Sequence, residues 1–265
     1  MKSIPNTASC LALAMGLLTT ACSTTSSSVQ APASGHPNAD ALVRQMSGKL
    51  AAARQFTFTA SRSIDANIAA AKGLQADAKI DATVKRPNGL YATTTSSKEV
   101  RTMIADGRKL TMLDSKENLY STVPMKASLD ALPATLSAKY GFEPPLASFL
   151  VGSPYKDIHR RGSKVTYAGT ATLQSGFLGS TKTSCHRVGL FTKSGYAELW
   201  IATADQLPRR LTLTPKGAAQ AAMTIDFTSW NLHASVDDQM FTFTPPEGSY
   251  AVPMVTTQEM KAAKR

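Results

Sequence analysis

Residue types that could do covalent or acid–base chemistry are sparse in this sequence. Four histidines occur (His36, His159, His186 and His233) and three cysteines (Cys10, Cys22 and Cys185). Cys185 and His186 form a thiol–imidazole pair in sequence, but neighbours on a strand point to opposite faces and cannot serve one site. His186 shares its parity with Val188 and Leu190, which predicts a buried hydrogen bond for the imidazole instead. Ser153-Pro-Tyr-Lys156 has the spacing of a serine–lysine nucleophile, yet its proline and turn-like surroundings argue against that use. Asp237-Asp238 offers two adjacent carboxylates to a cation; without further ligands the pair reads as a solvated turn. HExxH, GxSxG and phosphate-loop patterns do not occur. The expectation is a non-enzymatic protein that uses no metal and no cofactor.

Cys22 differs, because its surroundings carry the chemistry. Lys2 provides a short basic start, and Cys10 to Leu18 is an uncharged apolar run, shorter than the roughly 20 residues of a spanning helix. Leu18-Thr19-Thr20-Ala21-Cys22 follows. It is similar to the bacterial lipobox, whose Cys becomes the first mature residue and takes acyl groups on its sulfur and new amine, although Thr19 stands in the place of the usual leucine. The pattern predicts a signal peptide over 1–21 and lipid attachment at Cys22. Thr19-x-Ala21 and Ala31-x-Ala33 are the alternative sites of ordinary cleavage, which would give a soluble periplasmic or secreted protein. Ser23 rather than Asp after the cysteine fits sorting to the outer membrane. Residues 23–37 lack Lys, Arg, Asp and Glu, so 22–37 reads as an anchor and a flexible tether. Processing at Cys22 removes Cys10, so Cys185 is left without a disulfide partner.

The 265 residues are 43% hydrophobic with a mean hydropathy of -0.13, enough apolar material for a core. Lys and Arg outnumber Asp and Glu by 29 to 18, and the resulting +11 suits an anionic partner such as phospholipid or cell-wall polymer. Basic residues gather in small groups at Lys85-Arg86, His159-Arg160-Arg161 and Arg209-Arg210. No interleaved aromatics accompany them, so nucleic acid is not expected and the charge reads as a solvated sheet face. Composition also excludes collagen, coiled coil, a multi-span membrane protein and a disulfide scaffold.

The elements that must position any site follow from hydrophobic period. Leu42, Val43, Met46 and Leu50 recur at helical steps, with Asn38 or Asp40 as the cap. From Leu74 to Lys85 apolar and polar residues alternate strictly, placing Ala78, Ile80, Ala82 and Val84 on a buried face. Strands at hairpin spacing follow over 90–95, 101–105, 109–113 and 119–123. The period turns helical at Leu129, Leu132, Leu136 and Tyr140, with Pro133 delaying or kinking the start. Pro144-Pro145 opens a short segment carrying Leu146, Phe149 and Leu150. Strand patterns resume over 164–168, 171–174, 182–191, 196–203, 209–214, 219–230 and 239–243. This predicts an α+β fold: one domain over 38–253, a curved antiparallel sheet of about 11–12 strands covered by helices, and a loose tail over 254–265.

Such a sheet has one greasy face to hide, and two uses are open to it. Leu42, Met46, Leu129, Leu132, Leu136, Phe149 and Leu150 could line a ligand cavity, together with Phe58, Ile80 and Met112 on the sheet. Equally, they could fill a closed core, and periodicity does not distinguish the two. The ligand of a cavity so lined would be a lipid or the acyl chain of a lipoprotein. The filled core would suit an outer-membrane-tethered accessory whose partner is another envelope protein.

Several stretches in order carry a resemblance. They include Ala105-Asp-Gly-Arg-Lys-Leu-Thr-Met112, Lys139-Tyr-Gly-Phe-Glu-Pro-Pro-Leu146, Cys185-His186, Glu198-Leu-Trp-Ile201, Leu207-Pro-Arg-Arg-Leu211 and Phe241-Thr-Phe-Thr-Pro-Pro246. Over roughly Ala39 to Pro253 the chain resembles the bacterial family called domain of unknown function 2092, predicted periplasmic proteins. That family looks related to the Lol-type lipoprotein carriers and receptors. The resemblance implies an unclosed half-barrel with helices on its concave side, and it supplies no activity.

Overall fold

The computed structural model describes residues 36–71, 74–142, 146–161, 164–176 and 179–263. The signal segment, Cys22 and nearly all of the tether lie outside these residues, as does Pro144-Pro145.

α1 (Ala39–Ala52) opens the body. The Asn38 side chain caps it by accepting the Ala41 N–H at 3.1 Å, and Asp40 in the first turn and Lys49 in the last complement the helix dipole. Val43, Met46, Ser47 and Leu50 form its buried stripe. β1 (Gln55–Ile64), β2 (Asp77–Lys85), β3 (Gly89–Thr95), β4 (Val100–Ala105), β5 (Lys109–Asp114) and β6 (Leu119–Pro124) form an antiparallel meander, with α2 (Ala66–Ala71) between the first two. Three helices follow: α3 (Leu132–Tyr140), α4 (Ala147–Leu150) and α5 (Pro154–Arg160). A second meander comprises β7 (Lys164–Ser175), β8 (Thr181–Thr192), β9 (Gly195–Ala202), β10 (Pro208–Pro215) and β11 (Met223–Asn231). β11 returns to pair antiparallel with β1. With β12 (Tyr250–Ala251) laid parallel on β6, the sheet has 12 strands in the order β12-β6-β5-β4-β3-β2-β1-β11-β10-β9-β8-β7 and remains unclosed.

Alternation decides which face meets the helices. In β2, Ala78, Ile80, Ala82 and Val84 are buried while Asp77 and Lys79 are exposed, as the sequence parity requires. Register shifts between Thr59 and Ala60, Tyr167 and Gly169, and Pro208 and Arg210 mark bulges, which bend and twist strands toward a half-barrel. The first bulge stands beside an aromatic cluster on the inner face. Trp230 lies 4.9 Å from Phe58 and 5.1 Å from Phe227, and Phe149 of α4 meets Phe227 edge-on at 5.2 Å.

The structure departs from the sequence reading in several places. The stretches 164–168 and 171–174 are one strand, continuous through the bulge beside Gly169. The 239–243 stretch is not a strand: Asp238–Phe241 is a 3₁₀ turn, with Asp237 accepting the Gln239 N–H at 2.9 Å. Its alternation arises because this segment straps across the outer face. Phe241 packs where a Cβ on Gly89 would come within 2.9 Å of its ring, so any side chain at Gly89 would displace that ring. Phe243 meets Tyr120 at 5.1 Å, and Lys85 pairs with Asp238 at 2.7 Å. The chain end forms α6 (Thr257–Ala262), none of whose residues is buried. Thr257 Oγ1 there donates to the last carbonyls of α3, Ala138 and Lys139, each at 3.3 Å. Ser153, of the serine–lysine spacing, is the N-cap of α5 and accepts the Lys156 N–H at 3.4 Å.

One side chain gathers the helices onto the sheet. Arg86, just past β2, donates to Leu50 O at 3.1 Å and Ala53 O at 2.6 Å, at the end of α1. It also donates to Leu150 O at 3.4 Å and Val151 O at 2.7 Å, at the end of α4. The guanidinium lies 5.0 Å over the Phe56 ring. Two helix C-termini, each with unpaired carbonyls and a negative dipole end, thus share one cation. Burial lowers the pKa of Arg86 from its ordinary value, and Asp130 opposes that loss. Sequence pattern alone groups this arginine with the surface charges; the fork of its two terminal amino groups is what the helix ends require. Replacing it with Met strands those carbonyls, and Arg86→Met is expected to cost about 3 kcal/mol in urea unfolding. A loss below about 0.5 kcal/mol, the range of ordinary surface substitutions, would contradict this role.

Candidate functional site

The inner face divides into two unlike halves. Under α1 and α3, side chains close completely: Val43, Met46, Leu50 and Leu136 are fully buried, and Leu129 and Leu132 nearly so. Under α4 and α5 a cleft of about 720 Å³ remains. Its floor is the inner face of β8, β9 and β10, contributed by Leu190, Ala197, Leu199, Leu211 and Leu213. Ala147, Phe149 and Ile158 of the helices form the facing wall. The buried residues, Phe149, Ile158, Leu190, Leu199 and Leu211, mark its depth, whereas exposed Arg161, Lys193, Ser194 and Pro215 mark its rim.

Each wall is held by paired charge. Asp157 of α5, buried among polar partners, accepts from Ser148 of α4 at 2.6 Å and from Arg161 Nε at 2.9 Å, and also pairs with Arg160. Burial alone would raise the Asp157 pKa, but the bonds from Ser148, Arg160 and Arg161 prevail and hold it below the ordinary carboxylate value. Ser148 and Arg161 are both cleft residues, so Asp157 sets the position of the rim. On its other side α5 is tied to α1. The Tyr155 hydroxyl donates to Asp40 at 3.0 Å, the Tyr155 N–H to Ser47 Oγ at 2.9 Å, and His159 Nε2 lies 2.9 Å from Asp40. Beneath the floor, on the outer face, Glu198 takes a two-pronged contact from Arg187 at 3.0 and 2.8 Å and the Trp200 indole N–H at 2.7 Å. Burial would raise the Glu198 pKa; Arg187, Trp200 and Tyr196 bring it down.

Of the residues expected to line a cavity, Phe149 alone borders this cleft. Met46, Phe58, Ile80, Leu129, Leu132, Leu136 and Leu150 belong to the packed core, and Leu42 is half-buried against it. Met112 is half-buried on β5 beside Met103, its cross-strand partner. The cleft floor was legible as alternation in β9 and β10, but alternation gives a face and not what covers it. Cys185 and His186 do point apart. Cys185 is buried with Leu173 and Ala202, and burial pushes its thiol pKa up. His186 Nδ1 lies 3.2 Å from the Tyr167 hydroxyl. Among the described residues no cluster of three or more His, Cys, Asp or Glu could hold a metal ion, and no helix is long and apolar enough to cross a membrane.

A large unclosed, mostly antiparallel sheet, one face covered by helices and partly open to solvent beneath them, defines a half-barrel architecture. Residues 39–255 match the family described as "Predicted periplasmic protein (DUF2092)", and the chain belongs to that family. No curated protein matches the sequence. Among solved structures, an uncharacterized conserved protein from Thermus thermophilus is similar with a TM-score of 0.50 at 9% identity, over 81% of this chain and 98% of that one. A chain of the Pseudomonas aeruginosa MucA/MucB complex gives 0.43 at 12% identity, over 77% of this chain and 60% of that one. A LolA-superfamily protein from Nitrosomonas europaea gives 0.36 at 9% identity, over 78% and 99% respectively. At these identities the likeness is one of fold.

The depressed carboxylates set a pH dependence. Above the ordinary carboxylate pKa of about 4, Asp157 and Glu198 are ionised whether folded or unfolded, and their contribution is complete. Below it the unfolded chain takes up protons first, so stability is expected to fall as pH drops through the lowered folded values. Melting temperatures at pH 7, 5 and 3 should show little change over the first interval and a fall over the second, smaller in Asp157→Asn. A wild-type curve flat down to pH 3 would contradict the assignment.

Proposed function

We propose that this protein is a non-catalytic binding protein of the periplasm that takes an acyl chain of a lipid or lipoprotein into the cleft between α4–α5 and β8–β10. The observation that carries the reading is the cleft itself. Its floor and facing wall are aliphatic and aromatic, its mouth is polar, and its volume falls within the roughly 300–1,000 Å³ usual for small-ligand sites. An acyl chain gains about 0.8 kcal/mol per buried CH₂, so ten of them offset the several kcal/mol of ordering and immobilisation. Arg161 and Lys193 on the rim suit an anionic head group. Such a site needs no catalytic residue, in keeping with the scarcity of His and Cys.

The reading includes an anchor: Cys22 is acylated and holds the body at the outer membrane by the uncharged tether. Cys22→Ser is expected to move the protein to the soluble periplasmic fraction or to stop its processing. A wild-type protein already soluble and beginning at another residue would contradict this part.

The ligand is tested by extracting the purified protein with organic solvent and identifying lipids by mass spectrometry. Ala197→Trp or Leu213→Trp, filling the cleft floor, is expected to lower bound lipid at least tenfold with thermal unfolding retained. No lipid in the wild type, together with no binding of a fluorescent fatty acid at micromolar concentration, would favour a tethered accessory protein that uses the fold to hold an envelope partner.

A further inference from the structure

At one end of the second meander, two hairpin tips present an arrangement that the core does not require. The outer face of β7–β10 ends in a cross-strand row: Lys164 pairs with Phe191, Phe191 with Tyr196, and Tyr196 with Thr214. Phe191 stands 48% exposed within this row, between Lys164 and the Tyr196 ring at 4.8 Å. Lys193 in the β8–β9 turn and Lys216 after β10 flank it, and the Lys216 N–H donates to Ser194 O at 2.9 Å, joining the two tips. All three lysines are exposed, and none has an ion-pair partner among the described residues. The carboxylates further along this face are already neutralised, Glu198 by Arg187 and Asp226 by Arg210.

Beyond its contact with Tyr196, about half of the Phe191 ring faces water among uncompensated lysines. It fits one kind of surface well, where a ring enters the head-group layer and ammonium groups meet lipid phosphates. We infer that the Phe191 edge, framed by Lys164, Lys193 and Lys216, docks on an anionic phospholipid bilayer. The net charge of +11 supplies the long-range attraction. Lys193, Tyr196 and Thr214 also line the mouth of the cleft, whereas Lys164, Phe191 and Lys216 lie outside it, so the inference stands on those three whatever fills the cleft. The same tip residues, Thr192 to Tyr196, border the cleft rim, and docking there brings that rim to the membrane.

The test uses full-length Phe191→Trp protein with vesicles of phosphatidylcholine, with or without phosphatidylglycerol, carrying brominated chains. The introduced indole should be quenched on the anionic vesicles, beyond any change in the parent protein with its own Trp200 and Trp230, and not on the neutral ones. Each of Lys164→Gln, Lys193→Gln and Lys216→Gln should weaken partitioning about fivefold, the equivalent of about 1 kcal/mol per cation. Phe191→Ser, read by vesicle sedimentation at rising salt, gives a second measure and should lower binding without changing thermal unfolding. Binding through the N-terminal residues alone would leave the indole unquenched. That result, equal quenching on neutral vesicles, or partitioning indifferent to the three lysines would overturn the proposal.

Discussion

A half-barrel must attach its helical cover at the points where helices are least self-sufficient, their ends. Here the Arg86 guanidinium meets that constraint by donating to carbonyls at the C-termini of α1 and α4 from the end of β2. The rest of the arrangement depends on it. α1 and α4 are far apart in sequence, and neither is long: fourteen and four residues. A four-residue helix has no stability of its own, so α4 exists because its end is held and because Phe149 is packed on the aromatic cluster. With α4 fixed, Ser148 fixes Asp157, and Asp157 fixes the last turn of α5 and the position of Arg161.

That chain of attachments explains why the two halves of the inner face differ. α1 contributes a full stripe of large side chains, and with α3 it joins one packed core with the buried side chains of β1–β5. α4 and α5 are too short to cover β8–β10 in the same way, so Leu190, Leu199, Leu211 and Leu213 have a wall on one side and a gap above them. The aromatic group of Phe58, Phe227 and Trp230 with Phe149 stands at the boundary. A closed half gives the fold its stability while the other half keeps a cleft beneath short helices, and the same sheet forms both.

Much of this was readable from residue pattern, for identifiable reasons. Strand parity is a local property with a period of two, so β2 and its neighbours, joined by short turns, follow directly from sequence. The helical stripe of Leu132, Leu136 and Tyr140 was equally plain, and Pro133 does delay its start to Leu132. Long-range partners were not readable. The Phe241 strap looked like a strand because its apolar residues alternate, but its role depends on the distant Gly89. Arg86 looked like surface charge because nothing in its neighbourhood in sequence announces two helix ends. The expected lining was drawn from helical stripes, and those stripes are the closed half; the open half lies where the helices are short, which periodicity cannot weigh.

The central claim is that an acyl chain occupies the space over β8–β10 and not the space beneath α1 and α3. Paramagnetic broadening by a fatty acid carrying a nitroxide along its chain tests it most directly, read on methyl resonances of the labelled protein. Selective loss of signal is expected at Leu190, Leu199, Leu211 and Leu213, with the Leu50, Leu132 and Leu136 methyls unaffected. Broadening centred on Leu50, Leu132 and Leu136, or none at all at saturating fatty acid, would contradict it.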